Sequence, residues 1–345
     1  MIFFLGEIMA LFNRNKKQNK TETLSSNQEN RFYDYEERMD KLEKTLTQQQ
    51  EEIKSLKKEN AEILDSYNNL FNILFIDCEL KSKGLLKKSQ EICQELFNFI
   101  VNVCKKHDIE YWLDYGTLLG AVRHDGFIPW DDDIDIAMMR KDYEKFHKII
   151  NEEIKNYNLD KNIEVFLYKQ HTVLFTQITY TSSETGKKLA GFDIFPYDFI
   201  KSCDVTDIEQ EFIKEKNNLK KAIKNNEDPQ PYLDSYFEKF NVDYDKQDFV
   251  IGSIENIRCK ISKYSFVILD ANKIFPLSEI EFNGRTYSCP NDYDYYLKKI
   301  YGDYSKLPKV IDTHGRVDSL KDMDEPNEEL EFNISKLKEI NNLFQ

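Results

Sequence analysis

Four aspartates crowd into one short run, Pro129-Trp130-Asp131-Asp132-Asp133-Ile134-Asp135-Ile136. Alternation along a strand puts Asp131, Asp133 and Asp135 on one face and Ile134 and Ile136 on the other. Carboxylates so close repel one another, and divalent cations offset that repulsion. An all-oxygen donor set suits Mg2+ or Mn2+. A solvated acidic turn is the alternative, but such turns do not alternate Asp with Ile. Downstream, Phe192-Asp193-Ile194-Phe195-Pro196 is a second apolar strand with one central carboxylate. Two-metal phosphoryl transfer needs two carboxylates from one strand and a third from its neighbour. Asp133, Asp135 and Asp193 meet that need as catalytic and metal-binding residues, with Asp131 as a further ligand. By itself Asp193 reads equally well as a residue of a strand-end turn.

Upstream, the strand-like Tyr111-Trp112-Leu113 gives way to Gly116-Thr117 and then to Leu118-Leu119-Gly120-Ala121-Val122. Strand, Gly-Thr, helix is a phosphate-binding geometry, because glycine lets the backbone approach and the helix start presents N–H groups. Gly-Thr alone is common in turns. Arg123 is either a cation for a phosphate or a salt-bridge partner of one of the aspartates. His124 and His314 could orient phosphate or sit satisfied in the fold. Tyr115, Trp130 and Tyr301 could stack on a base or cage an ammonium, or serve as core aromatics.

The elements that must position these residues follow from periodicity. Leu85, Leu86, Ile92, Leu96, Phe97, Ile100 and Val103 mark an amphipathic helix packed on a core. The stretch from Val173 to Thr181 is strand-rich. Residues 204–248 read as an excursion of two helices broken at Asp228-Pro229-Gln230-Pro231. From Lys321 the chain is acidic and ends in a short amphipathic helix.

Ahead of all this runs a heptad pattern. Met39, Leu46, Ile53, Asn60, Tyr67 and Leu74 fall seven apart, and Tyr35, Leu42, Gln49, Leu56, Ile63 and Leu70 form a second seam. No Gly or Pro interrupts it, and the intervening residues are Glu, Lys, Gln and Asn. These are the a and d positions of a coiled coil, and Asn60 at a favours a parallel two-stranded register. From Tyr35 to Leu74 the rod would be about 60 Å long. A long helix folded back on its own domain is the alternative. The expected partner is a second copy of the chain.

The apolar run Met1–Phe12 contains a Glu and is too short to span a bilayer, which takes about 20 apolar residues. Its basic residues follow it, opposite to the order in a signal peptide. It reads as an unstructured tail, or as a weak anchor placing Arg14, Lys16 and Lys17 against lipid phosphates at a membrane surface. Six scattered cysteines without a CxxC pair argue against a disulfide framework and for a reducing, cytoplasmic compartment. Cys259 and Cys289 could meet as metal ligands. The net charge of −14 repels nucleic acid, which is excluded as a partner. It also means that an anionic substrate needs a metal ion or a local cluster of cations.

Gly116 to Ile136 resembles the characteristic block of the LicD family, which includes bacterial phosphocholine transferases and the fukutin group. Phe275-Pro276-Leu277, Phe282-Asn283-Gly284, Cys289-Pro290-Asn291, Tyr301-Gly302-Asp303-Tyr304 and Leu307-Pro308 are similar to its carboxy-terminal signature. The resemblance covers roughly Leu85 to Gly315. It implies an α+β fold: a nucleotidyltransferase-like mixed β-sheet flanked by helices, here preceded by the parallel coiled coil. The division expected is a tail at 1–30, the coil at 31–79, a catalytic domain at 80–320 and an acidic helix or tail at 321–345.

The resemblance also implies a metal-dependent transferase. It would move a phosphorylated alcohol, phosphocholine-like, from a CDP-linked donor to a hydroxyl of a surface glycan, lipopolysaccharide or teichoic acid. Carried onto this sequence, Asp133 and Asp135 bind metal and donor phosphates, and Asp193 completes the site and assists deprotonation of the acceptor. Gly116 and Thr117 contact donor phosphates, and Arg123 neutralises the leaving CMP. Such a protein works in the cytoplasm, at the inner face of the membrane if the tail anchors it. Two other readings are an Asp-x-Asp glycosyltransferase using a nucleotide-sugar with Mn2+, and a non-catalytic coiled-coil scaffold. Gly-Thr before the acidic strand and a third Asp after it disfavour the first. The complete acidic set disfavours the second.

Overall fold

The heptad stretch forms one continuous helix, α1 (Ser26–Phe75), as a run free of Gly and Pro with apolar residues at helical spacing should. In this computed structural model the residues described are 26–75, 81–167, 174–201, 205–256, 266–306, 320–323 and 325–344. They belong to two units, Met1–Leu80 and Lys81–Gln345. The apolar amino-terminal run, Cys259 and His314 lie outside the described residues. Among the described residues no helix is long and apolar enough to cross a membrane.

The second unit is built on a mixed sheet of seven strands. Its centre is a parallel pair, β2 (Ile134–Met139) and β5 (Lys188–Ile200). Parallel strands covered on both faces must be nearly continuous in apolar residues. Accordingly Ile134, Ile136, Met138, Phe192 and Ile194 are fully buried. β1 (Trp112–Leu113) adds antiparallel to β2. On the other side β5 is joined antiparallel by β4 (Thr176–Thr181), and β4 by β3 (Ile163–Leu167). The far half of β5 pairs with β6 (Phe249–Gly252), which pairs with β7 (Ile268–Asp270).

Helix α2 (Gly84–Lys106) carries the apolar stripe read from the sequence and covers the Phe192 face, with Phe97 edge-on to Phe192. Helix α3 (Tyr115–His124) leads from β1 back towards β2. Helix α4 (Arg140–Asn156) begins where β2 ends. The excursion forms α5 (Val205–Lys224) and α6 (Gln230–Lys239), as the proline break requires. These helices build a second cluster around Phe212, Tyr236 and Phe240 against Ile251 of β6.

Arg140 ties the two clusters together. Its guanidinium donates to both oxygens of Asp198, at 2.8 and 3.1 Å, and to Ser253 Oγ and Glu255 Oε2. Tyr236 donates its hydroxyl to Asp198 at 2.9 Å. The single-turn α7 (Ala271–Ile274), the hairpin β8 (Ser278–Phe282)–β9 (Arg285–Cys289) and α8 (Tyr293–Tyr301) follow. The acidic terminal stretch contains α9 (Pro326–Asn342), whose Leu330, Ile334 and Leu337 join the main core. Asn341 closes that contact by donating to the backbone and side chain of Glu95 on α2, at 3.0 and 2.9 Å.

Candidate active site

The register of the central strands creates the site. Asp135 of β2 lies directly opposite Asp193 of β5. In parallel strands, residues so paired point to the same face, so two carboxylates stand side by side. Asp133 sits just before β2 and joins them: one carboxylate oxygen from each of Asp133, Asp135 and Asp193 lies within 4.8 Å of the others.

The strand is shorter than the Asp-Ile alternation suggests. β2 starts at Ile134, so Asp131, Asp132 and Asp133 lie in the loop that enters it. Both neighbours of β2 begin pairing only at Ile134 or beyond, which leaves the preceding residues without a ladder. Asp131, Asp132 and Asp133 form a second group with oxygens within 4.8 Å of one another. Gln90 of α2 pins this loop by donating to the Asp131 carbonyl at 2.7 Å.

The start of α3 is wired to Asp135. The backbone N–H of Gly116 donates to Asp135 Oδ2 at 3.3 Å, and Thr117 Oγ1 accepts the backbone N–H of Asp135 at 2.7 Å. A Cβ on residue 116 would stand 2.9 Å from Asp131 Oδ2 and 3.6 Å from Asp135 Oδ2, so a larger residue there would push the Asp131 carboxylate aside. Thus Gly116 and Thr117, read from the sequence as phosphate contacts, bind Asp135 in this structure.

Asp114 caps α3, accepting the Tyr115 N–H at 2.7 Å. It is fully buried beneath the site. Tyr197 donates to its Oδ2 at 3.1 Å, Tyr296 donates to its Oδ1, and the two tyrosine hydroxyls lie 2.8 Å apart. Burial pushes the Asp114 carboxyl up to about 6, against the pull of these donors. Asp135 is held well above the usual carboxylate range, by burial first and then by the charges of Asp133, Asp193 and Asp131. A half-buried all-oxygen cluster strained in this way has the donor chemistry to hold a hard divalent cation.

Gln177 of β4 stands opposite Asp193 and donates its Nε2 to Asp193 Oδ1 at 2.8 Å. Lys188 Nζ donates in turn to Gln177 Oε1 at 3.3 Å. Gln177 and Asp114 were both absent from the candidates drawn from the sequence. Asp114 carried a usable signal, an Asp between a strand and a helix start. Gln177 carried none, because its role exists only through cross-strand register.

Arg123 occupies the other end of α3. Seven residues from Gly116, it lies about 10 Å away along the helix axis. It donates to the Tyr304 carbonyl at 3.4 Å, and among the described residues it pairs with no carboxylate. The salt bridge to one of the aspartates is therefore not formed. His124 beside it is half-buried, its Nε2 has no hydrogen-bond partner among the described residues, and burial followed by the Arg123 charge lowers its pKa. Tyr115, Trp130 and Tyr301 all pack at the edge of the main core, Tyr115 edge-on to Phe195 with ring centroids 5.0 Å apart.

The carboxy-terminal block buttresses the aspartate loop. Asn283, at the turn of the β8–β9 hairpin, donates its backbone N–H to the Asp125 carbonyl at 2.8 Å. Its side-chain amide donates to Gln94 Oε1 at 3.1 Å. A Cβ at Gly126 would lie 2.1 Å from Asn283 Oδ1, so any larger residue there would displace the Asn283 side chain. Phe282 packs on Phe127 with centroids 5.0 Å apart. Cys289 is buried in the hairpin, and burial pushes its thiol up to about 11.

Comparison with known proteins agrees with this layout. A model of the LicD/FKTN/FKRP nucleotidyltransferase domain matches residues 108–244, which include β1, α3 and all the aspartates of the site. The lipopolysaccharide cholinephosphotransferase LicD of Haemophilus influenzae is 29% identical over 260 residues, which is 67% of this chain and 95% of that protein. An uncharacterized protein of Rickettsia typhi is 30% identical over 115 residues, 30% of this chain and 37% of its own length. The ribitol 5-phosphate transferase FKRP of Homo sapiens is 41% identical over 49 residues, 14% of this chain and 10% of that protein. The paired aspartates of β2 and β5, the α3 start bound to them and these matches lead to one conclusion: residues 108–244 form a nucleotidyltransferase domain of the LicD/FKTN/FKRP type.

Proposed function

We propose that this protein transfers a phosphorylated alcohol from a CDP-activated donor to a hydroxyl of a surface glycan, lipopolysaccharide or teichoic acid, using Mg2+ or Mn2+. The observation that carries this reading is the convergence of Asp135 and Asp193, from adjacent parallel strands, with Asp133 of the loop entering β2, to within 4.8 Å. The named relatives, a cholinephosphotransferase and a ribitol 5-phosphate transferase, both move phosphorylated alcohols. A nucleotide-sugar enzyme of the Asp-x-Asp kind needs no third carboxylate on a neighbouring strand, so Asp193 favours phosphoryl transfer.

Asp133, Asp135 and Asp193 would hold the cations, with Asp131 at their edge. Bound there, the ions would neutralise charge on the diphosphate and on the transferring group. The chain does the remaining work by positioning. Gly116 and Thr117 fix Asp135, and Gln177 holds one oxygen of Asp193. Asp193 would also assist deprotonation of the acceptor hydroxyl. Arg123, about 10 Å from Gly116 along α3, would neutralise charge on the leaving CMP. Loss of one of the three carboxylates should cost roughly a thousandfold in rate, about 4 kcal/mol of barrier.

Calorimetric titration tests the reading. CDP-choline, CDP-glycerol, CDP-ribitol and UDP-glucose are each titrated with and without Mg2+, into wild type and Asp133→Ala. Mg2+-dependent binding of one CDP compound, abolished by the substitution, is expected. Tight binding of UDP-glucose alone would replace the proposal with glycosyl transfer, and silence from every donor would refute the donor class.

A further inference from the structure

Helix α1 carries its apolar residues in the open. Leu42 is 63% exposed, Ile53 and Leu56 51% each, and Leu70 50%, all in one 4-3 repeat from Tyr35 to Leu70. Exposed leucine and isoleucine at that spacing need a covering helix. The residues flanking the seam say which one.

We propose that α1 is the dimerisation element of this protein, pairing in parallel and in register with α1 of a second copy. With Met39, Leu46, Ile53, Asn60 and Tyr67 at a, the g positions hold Arg38, Thr45, Glu52, Glu59 and Ser66. The e positions hold Glu43, Gln50, Lys57 and Leu64. In a parallel pair each g side chain meets the e side chain five residues on in the partner. Arg38 then faces Glu43 and Glu52 faces Lys57, each twice by symmetry, and no like charges meet. Asn60 stacks on Asn60 and Gln49 on Gln49, so within the a and d seams polar side chains meet only polar ones. Ile53 at a, with Leu42, Leu56 and Leu70 at d, is the combination that favours two strands.

Antiparallel pairing fits worse. There a faces d, and within the seam from Tyr35 to Leu70 only one register keeps Asn60 off an apolar or tyrosine partner, the one opposing it to Gln49. That register brings Glu52 against Glu59 twice.

Sedimentation equilibrium on the full chain tests the pairing. The wild type should have twice the 41.1 kDa chain mass at micromolar concentration. Ile53→Lys with Leu56→Lys should reduce it to the mass of one chain. Near-ultraviolet circular dichroism should stay unchanged in that variant, since the substitutions lie outside the second unit. Glu52→Lys sets Lys against Lys57 and should weaken the dimer about tenfold at low salt, and adding Lys57→Glu should restore it. A monomeric wild type, or a dimer indifferent to the paired lysines, overturns the proposal. Tightening by Glu52→Lys, which relieves the Glu52–Glu59 contact, overturns the parallel register.

Discussion

Replacing Asp193 by Asn isolates the charge of the cluster from its shape. The amide oxygen can still accept the 2.8 Å hydrogen bond from Gln177. Without a cation, carboxylate oxygens of Asp133, Asp135 and Asp193 stand within 4.8 Å of one another, a separation at which two unit charges repel by about 3.5 kcal/mol for an effective dielectric constant of about 20. Asp135 evades part of this by retaining its proton, as its raised pKa indicates. Solvent at the half-exposed carboxylates screens more, which brings the expected relief to about 2 kcal/mol. For a folded unit of this size that corresponds to a rise in Tm of roughly 4–8 °C. The Asn variant should therefore melt above wild type in EDTA. On adding Mg2+ the order should reverse or close, because ligand binding stabilises wild type and the variant lacks one of its three anionic oxygens. Scanning calorimetry in EDTA and in millimolar Mg2+ reads both effects. A variant that melts lower in EDTA would show that Asp193 is a structural partner and not a strained ligand. An equal Mg2+ shift in both proteins would place any bound cation elsewhere.

Gln177→Leu should leave the fold intact and weaken Mg2+ binding by about 10- to 100-fold, because Asp193 loses the donor that orients it; titration followed by heat or by Tm checks this. Asp114 contributes a pH dependence of known sign. Its carboxyl is raised in the folded chain from 3.8 to about 6, so its contribution is complete below pH 3.8 and is lost as pH rises through 6. The gap in unfolding free energy between wild type and Asp114→Asn should shrink by about 3 kcal/mol over that window in urea titrations, and a flat gap would refute the assignment. Arg140→Met strands Asp198 and Glu255 in the interior and should destabilise the chain by about 3–5 kcal/mol. A loss below about 1 kcal/mol would mean that water reaches those carboxylates.

Much of the architecture follows from local rules. α1, α2 and the break between α5 and α6 were legible because apolar spacing, the absence of Gly and Pro, and a Pro-flanked gap determine helices locally. Asp133, Asp135 and Asp193 were legible because carboxylates inside or bordering apolar strands have few uses other than ligation or proton transfer. The exact start of β2 was not, since a strand extends only as far as its neighbours pair with it, and they lie far away in sequence.

What the sequence by itself determined, then, is the set of chemical groups and the elements that bear them: three strand-associated aspartates, a Gly-Thr helix start and a long heptad helix. Tertiary structure alone decided how they meet. Register between β2 and β5 set Asp135 beside Asp193, and register between β4 and β5 gave Gln177 its hold on Asp193. Packing buried Asp114 under two tyrosines, and it turned Gly116 and Thr117 towards Asp135. Packing also placed Arg123 at the far end of α3, against a carbonyl and away from any carboxylate. The physical reason is the same throughout. Hydrophobic patterning selects elements through interactions a few residues apart, whereas burial and strand pairing act between residues tens of positions apart, and those contacts set which carboxylate keeps its proton and which donor holds it.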